Sequence, residues 1–308
     1  MRLMGGDMAH GAVNGILLID KPVGQTSNRT LQEVKKIFKA KKAGHTGNLD
    51  LLASGLLPVC FGEATKVSQF LLDSDKLYEA EFTLGKTTST GDCEGEETSA
   101  TATSGIDEQL INEAIAKLTG DIFQIPPMHS ALKVNGKRLY HLARQGVAVK
   151  RENRPVKIYS FEMVTMNIPK ISVRVHCSKG TYIRVLAEDL GELLNCGAYM
   201  SKLRRISSGP FQLTESHTPN ELQKIQIADG PSGLKSLLLN TDQALMHLPK
   251  VELSKADTRS LKLGQKIEFG ELLDISKSIR LYDELGNFFG LGEVLDRAII
   301  KPKRLFNL

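Results

Sequence analysis

At 308 residues and a net charge of +5, the chain is long enough for one large domain and a small one, with a core that needs no staples. A hydrophobic share of 41% and a charged share of 24% exclude a disordered or fibrous protein as the starting expectation. Cys60, Cys93, Cys177 and Cys196 are widely spaced, with no CxxC pair and no zinc-type Cys/His cluster, which points to reduced thiols used as buried fillers in a cytoplasmic protein. Neither the Met1 to His10 stretch nor any later run has signal or membrane-spanning character, so a soluble protein without membrane association is expected.

In chain order, Gly15 to Asp20 is an apolar strand-like run closed by the turn sequence Lys21-Pro22-Val23-Gly24. A helix follows, with Ser27 as the expected N-cap and Leu31, Val34, Ile37 and Phe38 on one face; Lys35, Lys36, Lys39, Lys41 and Lys42 lead outward into the next segment. That segment, Gly44 to Gly55, places one carboxylate, Asp50, among small and apolar neighbours in a glycine-punctuated loop that Leu49, Leu51 and Leu52 can anchor. By residue type alone, an Asp in such a setting is more often a turn residue or helix cap than a catalyst. Leu56 to Phe61, broken by Pro58, suits an edge strand or a turn, and Glu63 to Leu72 has helical spacing.

Tyr78 to Leu84 alternates as a strand and opens onto Gly85 to Gly105, whose Thr, Ser, Gly and acidic residues read as a loop. Ile106 to Leu118 is the clearest helix, with Leu110, Ile111, Ala114, Ile115 and Leu118 on its stripe and Gly120 past its end. From Gln124 to Asn153 the chain is polar, basic and turn-rich, an excursion rather than a core element. Ile171 to Ser178 alternates as a strand with one buried face and runs into a helix bearing Ile183, Leu186, Leu190 and Leu193. Arg184 then falls in a first helical turn, where a cation opposes the helix dipole; that suggests a specific anionic partner, although an ordinary surface Arg fits this argument equally well. Thr218-Pro219-Asn220-Glu221 is a capping box, Asp229 to Gly233 a linker-like break, and residues from about Met246 form a small β unit of short strands able to fold as an appendage.

Basic residues recur in clusters: the α-helical lysines above, Arg138 to Lys157, Lys202 with Arg204 and Arg205, and Lys301 to Arg304. Interleaved with Tyr140, Tyr182 and Tyr199 they fit a polyanion surface, although each cluster alone reads equally well as a solvated face.

With these segments laid out, the chain resembles the bacterial TruB family, the tRNA pseudouridine-55 synthases, nearly end to end. The resemblance rests on Gly15 to Pro22 with Ser27-Asn28, the His45 to Gly55 loop, Gly62 to Lys66, and Asp73-Ser74-Asp75-Lys76 leading to Tyr78. It continues through Thr88, Thr90, Asp92 and Gly95, Ile125-Pro126-Pro127 with Ser130 to Lys133, Cys177 to Arg184, and Leu203-Arg204-Arg205. It implies an α+β fold: a mixed, mostly antiparallel sheet with flanking helices of pseudouridine-synthase type over residues 11–245, an RNA-clamping insert at about 124–153, and a PUA-like RNA-binding β domain over 246–308. It further implies that a T-loop uridine of tRNA has its base detached from C1′, turned and rejoined through C5, without cofactor or metal, by a monomer needing no protein partner.

In that reading Asp50 is the nucleophile or the ribose-acting carboxylate, Arg184 keeps it ionised by lowering its pKa, and Tyr78 stacks on the base and takes a proton. Tyr182 and Leu203 line the base pocket, and His45 occupies the space the flipped nucleotide vacates. Three positions depart from the family's habit: Asn48, Leu51 where Pro is common, and His129 where an aromatic ring is common. Losing the proline loosens the bias on Asp50, so a changed rate rather than a lost reaction is expected. The competing readings are a non-catalytic tRNA-binding or tRNA-folding protein, and a metal-dependent nuclease using Asp73, Asp75 or Asp92.

Overall fold

A computed structural model describes residues 13–130, 132–134, 136–147, 149–270, 278–295 and 298–308; the side chains of 133, 134, 138, 140 and 144 are not described. The Arg138, Tyr140 and Arg144 side chains of the second basic cluster, and the start of the first domain at 11, therefore lie outside the described residues. The chain opens with β1 (Gly15–Lys21), α1 (Ser27–Ile37), β2 (Ala43–His45) and β3 (Ser54–Phe61), then a 3-10 turn at Gly62–Val67 and α2 (Ser68–Leu72). β4 (Lys76–Leu84) precedes β5 (Lys86–Thr88), β6 (Glu97–Ala100), α3 (Glu108–Lys117) and β7 (Gly120–Gln124). A small hairpin, β8 (Lys133–Val134) and β9 (Lys137–Arg138), and α4 (Leu139–Arg144) lead to β10 (Arg154–Asn167), β11 (Lys170–Cys177), α5 (Ile183–Leu193), β12 (Ala198–Ser208) and β13 (Phe211–Gln212). After α6 (Pro219–Ser236) come β14 (Lys250–Glu252), α7 (Lys255–Lys262), β15 (Ile267–Glu268), β16 (Ile279–Tyr282), β17 (Phe288–Leu295) and β18 (Ile299–Leu305).

The main sheet runs β1-β3-β12-β4-β11-β10-β7, with β2 added to β3 and β13 to β12. Its neighbours are antiparallel except where β12 meets β3, Arg204 against Ser54 and Arg205 against Gly55. The expected mixed, mostly antiparallel sheet with flanking helices is therefore the observed one. Period-2 alternation decides which face is covered: Ala80, Phe82 and Leu84 of β4 and Ile171, Val173, Val175 and Cys177 of β11 pack against Ile111 and Ile115 of α3 and Leu186 and Leu190 of α5. The opposite face of the same strands is wetted and laced with ion pairs, Arg174 to Glu79 at 2.8 Å and Lys202 to Glu81 at 2.9 Å. Around β1 and β3 a second layer forms from α1 and α6, with Leu17, Ile19, Leu31, Val34 and Leu222 in one cluster.

Several local expectations change once neighbours are present. Thr26, not Ser27, caps α1 by accepting from the Arg29 N–H at 3.1 Å, which frees the Ser27 side chain for another task. β3 is an interior strand rather than an edge or turn. Its proline is tolerated because Pro58 sits where β3 changes partner, between its pairing with β12 at Ser54–Gly55 and with β2 at 59–61. The 85–105 loop contains the β5–β6 ribbon. Leu110, placed on the buried stripe of α3, is 45% exposed, because it lies at the stripe's edge in the first turn. The capping box of α6 forms as read, but residues 229–233 kink that helix at Gly230 (φ 63°) and Pro231 instead of linking separate units. Cys60, Cys177 and Cys196 are buried; Cys93, in the turn after the β5–β6 region opens, is exposed and is no core filler.

The smaller sheet, ordered β14-β16-β17-β18-β15, provides the expected C-terminal β unit. It is less independent than an appendage. Leu291 and Phe306 belong to the same apolar cluster as Ile16, Leu18, Leu56 and Leu71, and side-chain bonds to backbone carbonyls, from Lys66 Nζ to Leu305 O (2.9 Å) and from Arg304 Nη1 to Lys66 O (2.7 Å), tie the seam.

Candidate active site

The Asp50 loop is held from three directions. Ser27 Oγ accepts from the Leu49 N–H at 2.8 Å and lies 3.2 Å from the Leu49 carbonyl, so the first turn of α1 grips the residue before Asp50. The Gly24 N–H donates to Leu51 O at 2.8 Å, and Thr46 N–H to Pro58 O at 3.1 Å. Leu49 is buried and Leu52 packs on the main core, whereas Leu51 is 41% exposed and anchors nothing with its side chain. Only the carbonyl of position 51 is engaged, a contact a proline could also make; Asn48 is exposed.

Arg184, in the first turn of α5, is 4% exposed and makes four contacts that fix its plane. One edge reaches Asp50 Oδ2 at 3.2 Å and His129 O at 2.8 Å; the other reaches Asp92 Oδ2 at 3.2 Å and Thr90 O at 3.2 Å. The anionic partner suggested by its position at a helix N-terminus is thus a pair of carboxylates. His129 contributes its carbonyl rather than its ring, so the departure from an aromatic residue there leaves the Arg184 contact intact. Asp92 is buried and also accepts from Thr90 Oγ1 at 2.6 Å and the Glu94 N–H at 3.1 Å, which makes it a partner of Arg184 and not a metal ligand. Asp73 is held by Gln69 and Lys179, each at 2.8 Å, and Asp75 by the Tyr159 hydroxyl at 3.3 Å. Among the described residues no three His, Cys, Asp or Glu side chains converge as metal ligands.

Asp50 departs from expectation in its electrostatics. Arg184 does favour its ionised form, and Lys21 adds to that, but burial in the cleft and the like charge of Asp92 outweigh both and raise the carboxyl pKa above its ordinary value. Its side chain is still 38% exposed, so part of the carboxylate remains open to solvent. Glu94 is raised for the same reasons, burial first and then Asp92 and Asp50.

Tyr78 lies on the core-facing side of β4, packed against the main cluster, and burial pushes its phenol up while Arg205 pulls it down. Tyr182 caps α5, its N–H donating to Gln124 Oε1 at 3.0 Å while Gln124 Nε2 donates to its carbonyl at 3.3 Å. Gln124 also pairs with Arg154, so the 124–153 excursion leaves and rejoins the sheet at facing positions of β7 and β10. Leu203 is 9% exposed and packs with Leu49 and Ala53 beneath the loop. His45, on β2, is driven toward its neutral form by burial and by the Arg205 charge, against a hydrogen bond to the Gly47 backbone, and its Nδ1 is buried without a partner among the described residues.

Sequence reasoning passed over two side chains here. Lys21, at the end of β1, is fully buried with its ammonium on Pro22 O (2.9 Å) and Gln25 O (2.6 Å), and burial lowers its pKa to about 8. Arg205 is 1% exposed, with Nε on Leu56 O at 2.7 Å. Lys21 reads as the start of a turn and Arg205 as part of a basic surface cluster, so neither is marked by local pattern as a buried cation.

Residues 35–183 match the TruB family pseudouridylate synthase N-terminal domain, 184–246 the tRNA pseudouridylate synthase B C-terminal domain, and 249–306 the pseudouridine synthase II TruB C-terminal domain. The chain is 45% identical over 295 residues to a protein named tRNA pseudouridine synthase B from Pseudomonas aeruginosa, covering 96% of each. A relative of the same name from Mannheimia succiniciproducens is 43% identical over 296 residues, covering 96% of this chain and 97% of that one. Among solved structures, a Cbf5-Nop10-Gar1 complex superposes with a TM-score of 0.74 at 27% identity, over 96% of this chain and 85% of that one. Matches of this extent, over a sheet and a site built from the same motifs, establish that the chain belongs to the TruB family of pseudouridylate synthases.

Proposed function

We propose that this chain converts the uridine at position 55 in the T-loop of tRNA to pseudouridine, with Asp50 as the carboxylate that acts at the ribose. The relatives named tRNA pseudouridine synthase B supply the substrate class. The observation that carries the chemistry is the 3.2 Å contact between the part-exposed Asp50 carboxylate and a buried Arg184 held by three further contacts. An arginine fixed by four contacts cannot swing away, so the carboxylate is aimed before substrate arrives.

In the reaction the C1′–N1 bond breaks, C1′–C5 forms, the C5 proton leaves and N1 gains one, with no net oxidation. Asp50 acts while ionised and is returned unchanged. Tyr78 gives its own phenol proton to solvent and takes the C5 proton in its place, so that it is returned as phenol while solvent supplies the proton N1 gains. Reaching the base inside a folded loop requires extruding it, at a cost of roughly a few kcal/mol. His45, neutral and with a free ring nitrogen, fills the vacated place, and Tyr182 and Leu203 give the flipped base apolar contact. Lys150 and Arg154 are exposed at the root of the 124–153 insert, where they can meet T-arm phosphates; Arg151 is tethered through Nη1 to Pro126 O at 3.0 Å.

Protein mixed with C5-tritiated T-arm RNA should release tritium, and Asp50→Asn should abolish release while RNA binding persists. Full release by the Asn variant sinks the assignment of Asp50. Tight binding with no release by the unmodified protein would instead favour the non-catalytic tRNA-binding reading.

A further inference from the structure

Arg205 is an expensive residue for the fold to keep. It is 1% exposed in the centre of the main sheet, and its Nη2 has no hydrogen-bond acceptor among the described residues. An unpaired buried donor on a cation is costly and is retained where it serves something. Three observations show what surrounds it. Its Nε holds Leu56 O, in the strand that leaves the Asp50 loop. A Cβ on Gly47 would lie 3.2 Å from its Nη1, and one on Gly55 would overlap its backbone, so the loop's glycines at φ 147° and 100° let the chain wrap this side chain closely. In strand register Arg205 faces Tyr78, on the same side of the sheet.

Resting on the reading above, we propose that Arg205 is a positioning residue that couples the two halves of the site, holding the strand that leaves the Asp50 loop with Nε while its guanidinium supports the Tyr78 phenol as it gives up its proton. Other charged or titratable groups act on the pair. Asp50 and Cys177 oppose ionisation of Tyr78; Lys21 of β1, His45 of β2 and Lys76 of β4 share the field of Arg205. Among those acting on the phenol, Arg205 is the cation that favours phenolate.

The test places a polyfluorinated tyrosine at position 78, so that its phenol titrates within the range where the protein is folded, and follows phenolate absorbance in the parent, Arg205→Lys and Arg205→Met proteins. Arg205→Met should raise the titration midpoint by about 1–3 pH units, the size expected from losing a cation at contact range. Arg205→Lys, which keeps the charge but cannot reach both partners, should raise it less and should retain more tritium release than Arg205→Met. If Arg205→Met does not fold, the Lys variant decides: no change in midpoint together with unchanged release overturns the proposal. An unmoved midpoint in a folded Met variant overturns it as well. Because the titration is read without RNA, absence of tritium release from the parent protein would count against the proposed reaction and leave the Arg205 result standing.

Discussion

At the scale of single residues, the site sets three carboxylates, Asp50, Asp92 and Glu94, against three cations, Lys21, Arg184 and Arg205, and burial shifts Asp50, Glu94 and Lys21 toward their neutral forms. Asp50 titrates above its ordinary value, so the ionised form is the one the fold disfavours. The stability this withholds is absent below the unfolded pKa of about 3.9 and grows as pH rises through the folded value. Asp50→Asn should therefore melt at or above the parent's temperature at pH 7, with the gap closing near pH 4, because Arg184 keeps Asp92, Thr90 and His129 as partners. A clear loss of melting temperature at pH 7 would contradict this. Asp92→Asn removes a like charge from Asp50, so the acid limb of the rate profile should move to lower pH while the maximal rate falls through a less constrained Arg184.

Elements position that chemistry more than their own propensities suggest. α1 was legible from its apolar spacing, yet its first residue turned out to serve the loop: Ser27 holds Leu49 through two contacts while Thr26 does the capping. Ser27→Ala should leave the Leu49 N–H buried and unpaired, costing about 1–3 kcal/mol and lowering kcat more than RNA affinity. Denaturant midpoints and single-turnover rates would measure both, and an unchanged rate would separate the loop's shape from its tether. β3 and β12 were hard to read because each has a feature, Pro58 or the run Lys202 to Arg205, that local pattern assigns to turns or surface. Only a neighbouring strand that ends, or a cleft that buries a guanidinium, makes those residues compatible with an interior strand.

At the scale of the molecule, the two sheets share a core. Removing residues 249–308 would uncover the cluster around Ile16, Leu18, Leu56 and Leu71, so the truncated protein should melt well below the full chain and bind apolar dyes. An unchanged melting temperature would make the C-terminal unit the appendage that its short strands suggest. RNA affinity of the full chain should fall steeply with salt, since phosphate contacts release counterions. A flat dependence would remove the basic insert from the interface.

Motif spacing and apolar period are local properties, and through them the sequence by itself determined the order of most strands and helices and the family, and singled out Asp50 as the candidate carboxylate. The tertiary structure alone decided how that carboxylate is charged and held. Burial, unlike spacing, depends on what the rest of the chain brings near. It sets the Asp50 pKa against the pull of Arg184, turns Asp92 from a possible metal ligand into an arginine partner, and makes Arg205 a buried cation rather than part of a basic surface.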